Sequence, residues 1–143
     1  MAINPSFLNL YERLTEAVEN AVDADTKGCL QDWLDEIDNE PTVTPIIQKL
    51  QEGLDINGWW IANVEANHTR QELQWPDDPY EAIGMKVLLM RELARGREDI
   101  GHFGFHIYGR TVGSRPRDAA AAVIERIFTP MAKRLQRYLE RNG

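Results

Sequence analysis

The chain has 143 residues, 43% of them hydrophobic and 27% charged. That balance excludes a disordered or fibrous chain and suits one domain large enough to bury a core. The formal net charge of −7 argues against non-specific attraction of the whole surface to nucleic acid, because phosphates would be repelled.

The first helix is signalled by Asn4 as a cap and Pro5 at the first helical position, followed by a stripe of Phe7, Leu10, Leu14, Val18 and Ala21. Asp23 or Asp25 can cap a second helix, whose apolar stripe is Leu30, Trp33, Leu34 and Ile37, with Asp32, Asp35, Glu36 and Asp38 facing outward. Pro41 limits it, and Thr44-Pro45 opens a third helix through Ile46, Ile47 and Leu50. Residues 53–75 admit two readings. Leu50, Leu54, Ile61 and Val64 keep helical spacing, whereas a hairpin of 59–65 with a second strand ending at Trp75 would use the tryptophans. Ala62, Asn63 and Glu65 are poor strand residues, so helix through about Ala66 is the favoured expectation.

The fourth element is the clearest. Asp78 caps, Pro79 follows, Glu81 completes a capping box, and apolar residues on two faces predict a central helix ending at Gly96. Residues 96–113 hold five of the ten glycines. Phe103, Phe105 and Ile107 alternate there with Gly104, His106 and Tyr108, which predicts an irregular segment or a short strand. The last helix, from Ser114 to about Arg141, contains Pro130, which must kink or divide it. The expected fold is therefore all-α or mainly α: one domain over 1–143, a bundle of five to six helices with a Gly/aromatic-rich insertion at about 96–113.

Charge is sorted along the chain. Residues 1–85 hold 17 Asp/Glu and 4 Lys/Arg, a net of −13, and residues 86–143 hold 12 Lys/Arg and 6 Asp/Glu, a net of +6. Solubility needs net charge but no such sorting. If the halves occupy separate faces, the N-terminal half presents an acidic docking surface. The single cysteine, Cys29, excludes an intramolecular disulfide and fits a reducing compartment. Residues 1–10 lack a basic n-region and an apolar h-region, and no apolar run approaches the roughly 20 residues of a membrane span. A cytoplasmic location without membrane contact is expected.

Asp32, Asp35 and Glu36 with Trp59, Trp60, Trp75, Asp77, Asp78 and Tyr80 form the candidate partner-binding set. Adjacent Trp59 and Trp60 cannot share one face, so one ring is expected inside and the other near the surface. Ser114, Arg115 and Arg117 precede the last helix, where free N–H groups and two guanidiniums could hold a small anion. His102 and His106, four apart, with His68, could in principle meet a metal, but without a cysteine pair or HExxH no metal site and no cofactor is expected.

Arg97-Glu98-Asp99-Ile100-Gly101-His102 resembles the Rx4–6H signature of the HEPN ribonucleases, small all-helical proteins. The resemblance implies that Arg97 and His102 would flank a scissile RNA phosphate across a dimer interface. Arg97 would stabilise charge on phosphorus, and His102 would act as general acid or base. It covers six residues, and Glu98 stands where the family prefers Asn, Asp or His. The favoured reading is instead a non-catalytic module that binds another protein with a basic surface, a homodimer being left open. The HEPN-like ribonuclease is the alternative.

Overall fold

Residues 10–19, 26–66 and 72–142 are described by the computed structural model. They form eight α-helical segments and contain no strand. These are α1 (Leu10–Glu19), α2 (Thr26–Asp38), α3 (Thr44–Gln51), α4 (Ile56–Trp60), α5 (Pro79–Ala94), α6 (Ile100–Tyr108), α7 (Pro116–Val123) and α8 (Thr129–Asn142). The fold is all-α. The proposed caps at Asn4, Asp23 and Asp25, and His68, lie outside the described residues.

The core follows the apolar stripes. Leu30, Trp33, Leu34 and Ile37 of α2 are buried, and so are Ile47 and Leu50 of α3. The hydroxyl of Thr44, the first residue of α3 rather than its cap, lies within hydrogen-bond reach of the carbonyls of Ile37, Asp38 and Glu40, and its one hydrogen is shared among them. That bond set satisfies the end of α2 and ties it to α3. Gly53, at φ 78°, separates α3 from α4, a conformation that costs a glycine little. α4 continues as a π-helical turn (Ile61–Glu65) to Ala66, in agreement with helix rather than hairpin over this stretch.

α5 is the central helix. The Asp78 carboxylate accepts from the backbone N–H groups of Tyr80 and Glu81. Ala82, Ile83, Met85, Val87, Leu89, Met90, Leu93 and Ala94 are all buried. α2, α3, α4 and α8 all pack against it. Asp78→Ala should therefore lower stability by about 1 kcal/mol in a chemical-denaturation experiment, since it strands two N–H groups. An unchanged midpoint would mean that water or Glu81 replaces the cap.

Two expectations need correction. Residues 100–108 are helix, not strand or irregular chain, and a short 3-10 turn (Gly109–Val112) follows. Asp99 caps α6 by accepting from the His102 N–H. Its glycines are there for proximity: a Cβ at Gly101 would lie 2.8 Å from the Pro116 carbonyl oxygen, and one at Gly104 would lie 2.5 Å from that of Ala119. α6 thus crosses α7 with backbone nearly touching backbone. The second correction concerns Pro130. It does not divide the last helix: residues 116–142 run on without a break, through a π-helical turn (Ile124–Phe128) just before it. The wider turn accommodates the missing donor and the ring. Thr129 lies at helical φ and ψ, which carries the helix straight into Pro130.

Candidate functional site

The expected partner-binding residues are not gathered into one patch. Asp32 and Asp35 are exposed on α2, where Asp35 accepts from the Gln31 side chain. Glu36 is half-buried and paired with Arg13, which ties α2 to α1. Asp38 is held bidentately by Arg91 at 2.7 Å on each oxygen, so α2 lies against the C-terminal half of α5. Asp77, Asp78 and Tyr80 are exposed at the other end of that helix. Tyr80 and Arg91 are about 16 Å apart along the axis.

Trp59 and Trp60 are both buried, at 8% and 3% exposure, so neither ring is at the surface. They do point to different sides, but both sides are covered. Trp59 stacks on Trp75, with centroids 4.7 Å apart, and donates its indole N–H to the Gln74 carbonyl. Trp60 stacks on Phe103 at 5.5 Å. Asn63, also buried, accepts from the Gln74 N–H and donates to the Trp59 carbonyl, which pins residues 72–75 over α4. Trp75 is half-buried in this stack, with Lys86 over its ring at 5.1 Å. Trp59 and Trp60 belong to the core, and Trp75 packs half-buried against it.

Arg97 and His102 occupy the link into α6 and its first turn. The Arg97 guanidinium lies 4.6 Å over the Trp60 ring and donates to the Asn57 side chain at 2.8 Å. The His102 ring is exposed, with Nδ1 3.0 Å from Glu98; Nδ1 of His106 is 3.6 Å from the same carboxylate. Arg97 and His102 thus each have a structural partner within the chain. Of the six-residue motif, Ile100, Gly101 and His102 form the first turn of α6, while Arg97 and Glu98 precede its Asp99 cap. Among the described residues no group of three His, Cys, Asp or Glu side chains could hold a metal ion. Cys29 is half-buried rather than fully inside.

At the start of α7, Asp118 supplies the negative charge. Its Oδ2 accepts from the Arg115 N–H at 3.3 Å and lies 3.4 Å from Arg115 Nε. Ser114 and Arg117 remain exposed. A shallow cleft of about 300 Å³ lies beside them, lined by Asp99, Ile100, Gly101, Arg115, Pro116 and Arg117. Two carboxylates at or near this opening, Asp99 and Asp118, oppose an anion there.

The sequence reading did not anticipate where the basic residues of α8 meet the N-terminal turn of α5. Tyr80 and Tyr138 pack with centroids 5.0 Å apart and rings tilted by 53°. Around them opens a cleft of about 370 Å³ whose lining includes Ile83, Arg134, Arg137 and Arg141. The 134, 137/138, 141 spacing could have revealed the row, since these positions share a helix face. Burial first, and then the Arg134 charge, pull the Lys86 ammonium below the usual lysine range. Elsewhere burial raises the Tyr108 hydroxyl above its usual value, opposed by Arg126 over its ring at 4.7 Å.

Compared with known proteins, the chain matches no family model, no curated protein and no solved structure. Among the described residues no helix is long and apolar enough to cross a membrane.

Proposed function

We propose that this chain is a non-catalytic, cytoplasmic protein-binding module of the inhibitor, immunity or adaptor kind, docking through its acidic N-terminal helices on a partner with a basic surface. One observation carries the reading: Asp32 and Asp35, one turn apart on α2, are both exposed, and neither forms an ion pair with a described cation. Glu16 on the adjacent α1 is likewise exposed. Acid left uncompensated on one side of a fold raises the encounter rate with a basic partner and fixes its orientation. No aromatic of the expected surface joins this acidic face: Trp59 and Trp60 are buried, Trp75 is half-covered, and Tyr80 stands at the far end of α5. A basic nucleic-acid-binding machine would suit such a face.

The test is charge reversal. Partners cross-linked in lysate to the parent chain and identified by mass spectrometry are to be compared with those of Asp32→Lys/Asp35→Lys. The association rate with an identified partner should fall by about tenfold or more at low salt, and the difference should shrink as salt rises. Unchanged capture and rate would defeat the acidic-face reading. Arg97→Ala and His102→Ala should leave capture intact. Should the purified chain cleave RNA, and either variant lose that cleavage, the ribonuclease reading takes its place.

A further inference from the structure

The cleft between α5 and α8 has a chemistry that the acidic face lacks. Arg134, Arg137 and Arg141 stand at i, i+3 and i+7 on one face of α8, a row about 10 Å long. None of the three forms an ion pair with a described carboxylate. Lys86, half-buried on α5, feels the Arg134 charge as well. The helix macrodipole favours a cation in the last turn, which accounts for Arg141. It does not account for Arg134, two turns earlier, beside another cation. All three guanidiniums are exposed, so the row presents uncompensated positive charge to an anion arriving from solvent.

The rest of the cleft constrains that anion. Its volume of about 370 Å³ falls in the range of small-molecule sites, well short of what a folded partner would need. Its lining also includes Ile83 and the Tyr80–Tyr138 pair, and Tyr80 is 46% exposed, which leaves part of its ring open to a ligand. Planar guanidiniums match phosphate oxygens in pairs, and a tyrosine face accepts a flat heterocycle. We propose that this cleft binds a nucleoside phosphate, the α8 arginines taking the phosphate and the Tyr80–Tyr138 pair taking the base. An acidic peptide would satisfy the arginines but would leave the tyrosine wall without a flat partner. The site is on the opposite charge from the acidic α2 face, so it stands independently of the protein-docking reading.

The experiment is a titration of the full chain with fluorescent adenosine diphosphate at low salt, followed by competition. Saturable binding is expected, displaced by unlabelled ADP and not by adenosine. Arg134→Glu/Arg137→Glu should weaken it on the order of a hundredfold, from the loss of charge-assisted bonds. Tyr80→Ala should weaken it by about tenfold, while competition by inorganic phosphate persists. Because both sites are at the surface, circular dichroism should show the parent helix content; should the double reversal not fold, Arg137→Gln/Arg141→Gln provides the same comparison. A short oligothymidylate competing better than ADP identifies a nucleic-acid strand as the source of the nucleotide, and the reverse order identifies a free nucleotide. Asp32→Lys/Asp35→Lys should bind ADP at least as well as the parent, which separates failure here from failure of the acidic face. The proposal is overturned by absence of saturable binding, by arginine variants that bind like the parent, or by polyglutamate competing as strongly as ADP.

Discussion

Truncating Phe103 to alanine should lower the unfolding free energy by about 3–5 kcal/mol, read from the midpoint and slope of urea denaturation. The side chain is fully buried and stacked on Trp60, so its removal leaves a cavity between α6 and α4. Domains of this size are stable by only about 5–15 kcal/mol, so the variant loses a large part of its margin. Phe105→Ala supplies the contrast. Phe105 is half-buried and should cost about 1 kcal/mol or less, nearer a surface substitution. The pair discriminates between helix and strand over these residues. On a strand, Phe103 and Phe105 would face the same way and lose comparable stability; on α6 they diverge. Equal losses would contradict the helical register.

That contrast also marks where the sequence was legible. α5 was readable because several signals agreed: Asp78, Pro79 and Glu81 at the start, apolar residues on two faces, and Gly96 at the end. α2 was readable from Leu30, Trp33, Leu34 and Ile37 alone, all of which are buried. Around α6 the signals competed. Gly101 and Gly104 read as helix breakers, and the alternation of Phe103, Phe105 and Ile107 read as a strand. Yet Ile100, Phe103 and Ile107 also fall at intervals of three and four, and all three are buried. The low helix propensity of glycine, a local preference of about 1 kcal/mol, was outweighed by the packing that a missing Cβ permits. Trp59 and Trp60 failed for a related reason. Periodicity placed their rings on different faces but could not show that residues 72–75 return over one of them. The α5–α8 cleft was illegible for the same cause, since Tyr80 and Tyr138 are 58 positions apart in the chain and meet only in the fold.

The charge split gains a narrower meaning from these positions. Asp38 with Arg91 joins the two halves at the seam between α2 and α5. Elsewhere Asp32 and Asp35 on α2 and the arginine row on α8 remain exposed and outside any described ion pair, while α1 with its glutamates packs on α8. On the two proposals, binding at the α2 acids and binding at the α8 arginines should each weaken as salt rises.

Gly84→Ala should be destabilising although it is a glycine-to-alanine change inside a helix. Propensity alone predicts a gain of about 1 kcal/mol. Against it stands the approach of α3: a Cβ at Gly84 would lie 2.7 Å from the Leu50 carbonyl carbon and closer still to its oxygen. The obstacle is backbone near the end of α3, which cannot rotate aside as a side chain can. Relief requires α3 to move away from α5, which loosens Ile47 and Leu50 in the core. Overpacking of this kind costs about 1–3 kcal/mol or more, enough to reverse the propensity gain. Gly104→Ala should behave similarly, because its Cβ would lie 2.8 Å from both the carbonyl carbon and the Cβ of Ala119. Gly58→Ala is the control. The nearest atom there, at 2.6 Å, is a carboxylate oxygen of Asp55, the far end of a side chain that can turn away at the expense of its cap. Thermal midpoints should therefore fall for Gly84→Ala and Gly104→Ala and change little for Gly58→Ala. A midpoint that rises for Gly84→Ala would show that α3 and α5 are farther apart than this packing requires.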